Sequence, residues 1–261
     1  MTAIGTAIGT AMGSAYDLSA DAWRSGPAML YARLAGALLD EAQLPLAGAT
    51  VLDAGAGTGV AGEQAAARGA ARVVAVDLAT RILPGPPALA VGGDLQRLPF
   101  RDQAFDVAVA AFSLGHAPDP VQALAELRRV ARGLAASAFP VGWTHPAKDV
   151  VESAVVRRGH RPPAWYVAFK DGAEARVGDA DRLLGLATAA GYPSARTRRI
   201  EVDGGLTTPA AMVAWRLGMA HIAPFVATLP PEVITEIRAE AEAALVDAPP
   251  VVVPMLVLSA Q

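Results

Sequence analysis

The sequence predicts an α/β fold built on a largely parallel sheet. Three observations carry this: β-rich runs alternate with helical stretches from Ala49 to Phe139, the first run enters its helix through a glycine-rich turn, and the first three runs end on an acid. A parallel neighbour can be reached only through a crossover, so strand, turn, helix, strand is the unit from which such a sheet is wound.

Taken in order, residues 1–15 open with an A-I-G-T repeat, apolar but without the positive flank of a secretory signal, and read as a loose N-terminal arm. Within residues 16–48, Trp23, Met29, Leu30, Leu34 and Leu38 recur at helical spacing, predicting one or two helices that end near Pro45. Strands follow at Ala49 to Ala54 and Arg72 to Asp77, with an alanine-rich helix to about Arg68 between them. Further strands are expected at Ala88 to Asp94, Phe105 to Phe112 and Leu134 to Phe139, with a helix from Pro120 to Arg132 before the last. The pattern then loosens. Residues 140–175 and 206–248 read as insertions that cover the substrate, the first with a short helix around Asp149 to Arg157 and the second with helices at Thr208 to Ala220 and Pro231 to Val246. Between them lie a helix at Asp179 to Ala190, with Gly191 placed to cap it, and a strand at Thr197 to Val202; an apolar strand at Val251 to Leu258 follows the second.

The 261 residues are taken as a single domain. The formal net charge is −3 and the cations are scattered, which argues against nucleic acid as a partner. Cysteine is absent and no apolar run reaches the length of a membrane span, so a cytoplasmic protein without a membrane partner is expected. Monomer and homodimer are both left open.

The chemistry begins at V-L-D-A-G-A-G-T-G, Val51 to Gly59. A glycine-rich turn lets a ligand approach bare backbone while the helix N-terminus favours an anionic group. Gly57, Gly59 and Gly62 also satisfy G-x-G-x-x-G, the dinucleotide pattern, which is weak alone. Asp53 decides between the two, because a carboxylate beside the turn repels a pyrophosphate and attracts an ammonium. Asp77, at the end of the second strand, is placed to accept from both hydroxyls of a ribose, as it would be in either class. Asp94 closes the third strand, where it can accept from an adenine amino group while the Leu95 amide donates to the ring.

These segments, with V-V-A-V-D, G-D-L-Q-R-L-P-F and F-D-V-A-V-A-A-F-S-L-G-H-A-P-D-P in the same order, resemble the successive motifs of class I S-adenosylmethionine-dependent methyltransferases, most similar to the UbiE-like, methyltransferase type 11 branch. The resemblance spans Tyr16 to Phe139. It implies a Rossmann-like seven-stranded sheet of order 3-2-1-4-5-7-6 with the last strand antiparallel, helices on both faces and a helical lid. It also implies S-adenosylmethionine as cofactor, with contacts at Asp53, Ala54, Gly55, Gly57, Thr58, Gly59, Asp77, Leu78, Asp94, Leu95, Ala111 and Phe112, and with Tyr16 on a segment that closes over it. Two departures from the family stand out. Pro84, Pro86 and Pro87 reduce the second crossover to a turn, and the turn before the fifth strand is shortened to Arg132-Gly133.

Methyl transfer from a sulfonium asks the protein mainly to align the acceptor and exclude water, with a base wanted for an alcohol or a neutral carbon. His116, after the fourth strand, is the first candidate base, with packing against the next helix as the plainer alternative; His145 is the second. His160 and His221 read as a loop residue and a helix-face residue. No metal is expected, for no pair has ligand spacing. The aromatics Tyr16, Trp23, Tyr31, Phe112, Trp143, Trp165, Tyr166, Trp215 and Phe225 are expected in a lid over a hydrophobic small-molecule substrate. The leading expectation is methylation at oxygen or carbon of a natural-product intermediate. The rivals are a cyclisation or rearrangement on the same fold with the cofactor in a structural role, and a nicotinamide-dependent oxidoreductase, which Asp53 disfavours.

Overall fold

The computed structural model describes residues 3–261, without the side chains of residues 3–8 and 173. The first element among the described residues is a helix, α1 (Ala3–Leu18), where a loose arm was expected over residues 1–15; residues 1–2 of that arm lie outside the described residues. Its glycines lower intrinsic helicity, and tertiary packing compensates: Met12 and Ala15 are buried against Trp165 and Ala220. Helices α2 (Ala20–Ser25) and α3 (Pro27–Ala42) follow. Proline starts α3 at the position where its missing N–H costs nothing. Leu30, Leu34 and Leu38 form the fully buried face of α3, each contributing about 1.5–3 kcal/mol.

The sheet is built from β1 (Thr50–Ala54), β2 (Arg72–Asp77), β3 (Leu89–Gly92), β4 (Phe105–Ala111), β5 (Ala131–Ala138), β6 (Ala195–Asp203) and β7 (Val252–Ala260) in the order 3-2-1-4-5-7-6. The pairs from β3 through β5 are parallel, and β7 lies antiparallel between β5 and β6. Helix α4 (Val60–Ala67) crosses from β1 to β2. Between β2 and β3 there is no helix, as the prolines predict, and Ile82 of that loop is buried with Trp23 of α2.

Helix α5 (Pro120–Val130) is capped by Asp119, whose Oδ1 accepts from the Val121 and Gln122 amides. The expected turn at Arg132-Gly133 is absent. Strand β5 starts directly at Ala131, pairing with Phe105, and Gly133 pairs with Val107, so sheet hydrogen bonding takes residues that were read as helix and turn.

After β5 come α6 (Pro146–Arg157), α7 (Ala164–Ala168), a π-helical turn at Phe169–Ala173, α8 (Glu174–Val177) and α9 (Ala180–Ala189). Helices α10 (Pro209–Leu217), α11 (Ala223–Val226) and α12 (Pro231–Ala244) precede β7. Two large cores result. One joins α3, α6, α10 and α12 to one face of the sheet, and the other joins α5 and α9 to the opposite face. Among the described residues no helix is long and apolar enough to cross a membrane.

Candidate functional site

A cleft opens where β1, β2 and β4 end, at the point where the strand order reverses. The β1–α4 turn forms its floor. Gly55 takes φ +71°, and a Cβ there would lie 2.3 Å from the Ser113 Cβ, so only glycine fits. Ser113 is held in place by donating to the Ala54 carbonyl at 2.7 Å. Gly57 takes φ +52°, and its missing Cβ would point into open space, which leaves its backbone accessible from the cleft.

The three strand-end acids line this cleft together. Asp53 is buried, and its Oδ2 accepts from the Gly62 amide at 2.7 Å, tying β1 to α4. Burial pushes its carboxyl up to about 7, opposed by the Gly62 bond and reinforced by the charge of Asp77. Asp77 accepts from Gly57 N at 2.8 Å and Ala79 N at 2.9 Å, one bond on each oxygen; burial raises its carboxyl too, and these backbone bonds oppose the rise. A carboxylate offers about four lone-pair positions, so each oxygen of Asp77 keeps acceptor capacity. Asp94 Oδ1 accepts from the Gln96 amide at 2.9 Å, which fixes the turn carrying Leu95.

Thr58 supplies a direct test of fit. Its Oγ1 is buried without a hydrogen-bond partner among the described residues, at the N-terminal turn of α4. An amino-acid nucleoside bound with its carboxylate at that turn and its ammonium at Asp53 gives the hydroxyl a partner and satisfies the raised carboxylate. The acids and the orphaned hydroxyl match S-adenosylmethionine end to end. Tyr16, Gly55, Gly57, Thr58, Leu78, Leu95, Ala111 and Phe112 also line the cleft, whereas Ala54 and Gly59, expected there too, are not among its lining residues.

The two expected histidines part company. His116, at the end of a 3-10 turn after β4, lines the cleft. Its Nδ1–H donates to the Phe112 carbonyl at 3.1 Å, which leaves Nε2 to accept from the Tyr16 hydroxyl at 3.0 Å. Burial lowers it to about 4, so the ring is neutral. His145 does not reach the cleft. Its Nδ1 accepts from Ala147 N at 3.1 Å as the cap of α6, and its Nε2–H donates to the Pro249 carbonyl at 3.0 Å. With both nitrogens used by the scaffold it has no lone pair for catalysis, and the expectation of a catalytic His145 is corrected. His160 donates to the His221 carbonyl at 2.8 Å, and His221 lies flat on Tyr166, 3.7 Å between centroids, in the cleft wall.

Aromatic rings roof the cleft. Phe112, with φ +58°, is a non-glycine residue in the left-handed region, a conformation costing about 1–2 kcal/mol. Its amide donates to Ser137 Oγ, and its ring stacks on Phe139 at 4.2 Å. Phe139 stacks on Trp143 at 5.3 Å, and Trp143 on Trp215 at 6.2 Å. Tyr31 meets Phe112 edge-on at 5.7 Å. Phe225 lies outside this wall, packed on His160. Sequence reasoning missed Ser113, Lys148 and Arg216 in this lining; nothing in the spacing of an isolated lysine or arginine marks it as facing a cleft. Among the described residues no group of three histidines, aspartates or glutamates is arranged to hold a metal.

Comparison with known proteins agrees with this geometry. Residues 52–135 match the model of a methyltransferase domain. A demethylmenaquinone methyltransferase of Renibacterium salmoninarum is 29% identical over 206 residues, covering 73% of this chain and 84% of that protein. Another, from Thermobifida fusca, is 39% identical over 95 residues, 33% of this chain and 40% of its own length. Among solved structures, a protein of Anabaena variabilis assigned as a methyltransferase from an antibiotic biosynthesis pathway has a TM-score of 0.55 at 16% identity, covering 87% of this chain and 96% of that one. Phosphoethanolamine N-methyltransferase 2 of Haemonchus contortus, solved with S-adenosyl-L-methionine, has a TM-score of 0.53 at 14% identity, covering 86% of this chain and 51% of that one. With a methyltransferase domain at residues 52–135, its motifs in this order and its strands in this arrangement, the chain is a methyltransferase similar to class I S-adenosylmethionine-dependent enzymes and takes S-adenosylmethionine as cofactor.

Proposed function

We propose that the protein methylates an oxygen or carbon of a hydrophobic, aromatic small molecule, an intermediate of natural-product synthesis. The observation that carries this reading is the run of stacked rings, Phe112, Phe139, Trp143 and Trp215, which gives the same cleft an apolar wall beside the cofactor turn. The relatives named for demethylmenaquinone support a small organic acceptor.

When bound, S-adenosylmethionine supplies a methyl group on a positively charged sulfur, ready for in-line displacement. In this reading Asp53 would accept from its ammonium, the Thr58 hydroxyl at the N-terminal turn of α4 would hold its carboxylate, Asp77 would take the ribose hydroxyls, and Asp94 and Leu95 would read the adenine. The aromatic wall orients the acceptor and excludes water. Tyr16 and His116 line the cleft as a hydrogen-bonded pair. The Tyr16 hydroxyl oxygen can receive the acceptor proton while its own proton passes along the existing bond to His116 Nε2, on a ring fixed by Phe112.

The test is a product-mass assay on a panel of hydroxylated aromatic compounds. A gain of one methyl with release of S-adenosylhomocysteine is expected; an isomer of unchanged mass overturns transfer in favour of rearrangement.

A further inference from the structure

The cleft lining also carries cations, beside the far rings of the stack that starts at Phe112. Lys148 of α6, Lys170 of the π-helical turn and Arg216 of α10 all line it there. Glu174 is ion-paired with Lys170, and Glu152 accepts from Arg216 Nη2 at 2.8 Å. Lys148 has no carboxylate in ion-pair contact among the described residues: its Nζ donates to the Trp143 carbonyl at 2.9 Å and lies 3.9 Å over the Trp143 ring. Three cations against two carboxylates leave one positive charge beside an apolar wall.

Arg216 is built in rather than hanging from the surface. It is 3% exposed, its guanidinium lies over Trp215 at 5.1 Å, and its Nε is buried with no partner among the described residues. A buried guanidinium with an unmet donor is costly, and a ligand anion is the group that meets it. Lys148 also feels the place: burial lowers its ammonium to about 8, the charges of Arg216 and Lys170 push the same way, and those of Glu174 and Glu152 oppose them without making contact. The ring stack that starts at Phe112, beside the cofactor cradle, ends at Trp143 and Trp215, the two rings that carry these cations.

We infer that the acceptor is an aromatic acid: a flat apolar body seated along Phe112, Phe139 and Trp143, with a carboxylate held by Lys148 and Arg216 at the end away from the methylated atom. This rests on the methyl-transfer reading and narrows its acceptor class. Neutral acceptors, the alternative, leave Lys148 with a carbonyl and a ring but no carboxylate in contact.

The test is calorimetry on the full chain saturated with S-adenosylhomocysteine, using 6-hydroxy-2-naphthoate and its neutral methyl ester as probes. The acid is expected to bind about tenfold or more tightly than the ester. Lys148→Met should reduce that ratio to near one, and Lys148→Arg should keep it, which separates charge from packing. Equal binding of acid and ester, weak or absent binding of both included, overturns the proposal, as does a preference that survives Lys148→Met. A chain that fails to bind S-adenosylhomocysteine at all refutes the methyl-transfer reading instead, so the two failures are distinct. Replacing the carboxylate by a sulfonate tells charge from shape: unchanged selectivity over the ester supports recognition of an anion as such, and lost selectivity supports a planar fork.

Discussion

The Tyr16 hydroxyl, on the first helix, donates to His116 Nε2 at 3.0 Å across 100 residues of sequence. The bond ties the roof of the cleft to the tip of β4, and the Phe112 carbonyl on the far side of the ring fixes which nitrogen can receive a proton. Tyr16→Phe and His116→Ala are each expected to lower kcat by about 10²-fold. The double variant should be no worse than the worse single one, since both remove the same route. Single-turnover kinetics at saturating cofactor measure this; additive losses refute a shared path.

The pH profile follows from burial. His116 is held at about 4 against an ordinary value of 6.5, so its unprotonated form, the one that accepts, persists well below neutrality. At saturating cofactor, kcat/KM for the acceptor should show no acid limb near pH 6.5; such a limb would mean that the ring is solvated during turnover.

Asp53 titrates in the opposite sense. Burial raises it to about 7, and a neighbouring ammonium favours its charged form, so cofactor binding should release a proton. Affinity for S-adenosylhomocysteine is therefore expected to be flat above about pH 7 and to weaken by up to about tenfold per unit below it. Calorimetry in buffers of different ionisation enthalpy reads the proton directly, and Asp53→Asn should flatten the curve.

Asp77→Ala should weaken S-adenosylhomocysteine binding by about 1–3 kcal/mol. Part of that loss arises because the Gly57 amide, now held by the carboxylate, loses its partner. Unchanged affinity removes Asp77 from the cofactor site.

His145→Ala should destabilise the fold by about 1–3 kcal/mol, through the lost cap of α6 and the orphaned Pro249 carbonyl, while kcat of the folded protein is retained. Denaturant titration and turnover on the same preparation check both halves.

The cofactor half of the site was legible because its logic is local. An acid ending a β-rich run, followed by glycines, fixes strand, turn and carboxylate together, and Asp53, Asp77 and Asp94 line one cleft. His116 could be placed for the same reason, immediately after a strand. His145 misled because residue type does not reveal whether both ring nitrogens are already engaged, here by Ala147 and Pro249. The helix Ala3–Leu18 was illegible from its glycine-spaced repeat, since what holds it is packing on Trp165 and Ala220, far along the chain. The cationic lining of the cleft was illegible for a related reason: Lys148 and Arg216 become neighbours only after α6 and α10 pack together.

Strand β7, residues 252–260, lies inside the sheet between two strands made before it. On a ribosome, β1 to β5 can pair as they emerge, but β6 has no hydrogen-bonding neighbour until residue 260 is clear of the exit tunnel. Its arginines, Arg196, Arg198 and Arg199, give that waiting edge a positive charge that discourages pairing with another nascent copy. The nucleoside cradle at the ends of β1, β2 and β4 is thus complete in sequence well before the strand that locks β6 into the sheet is made.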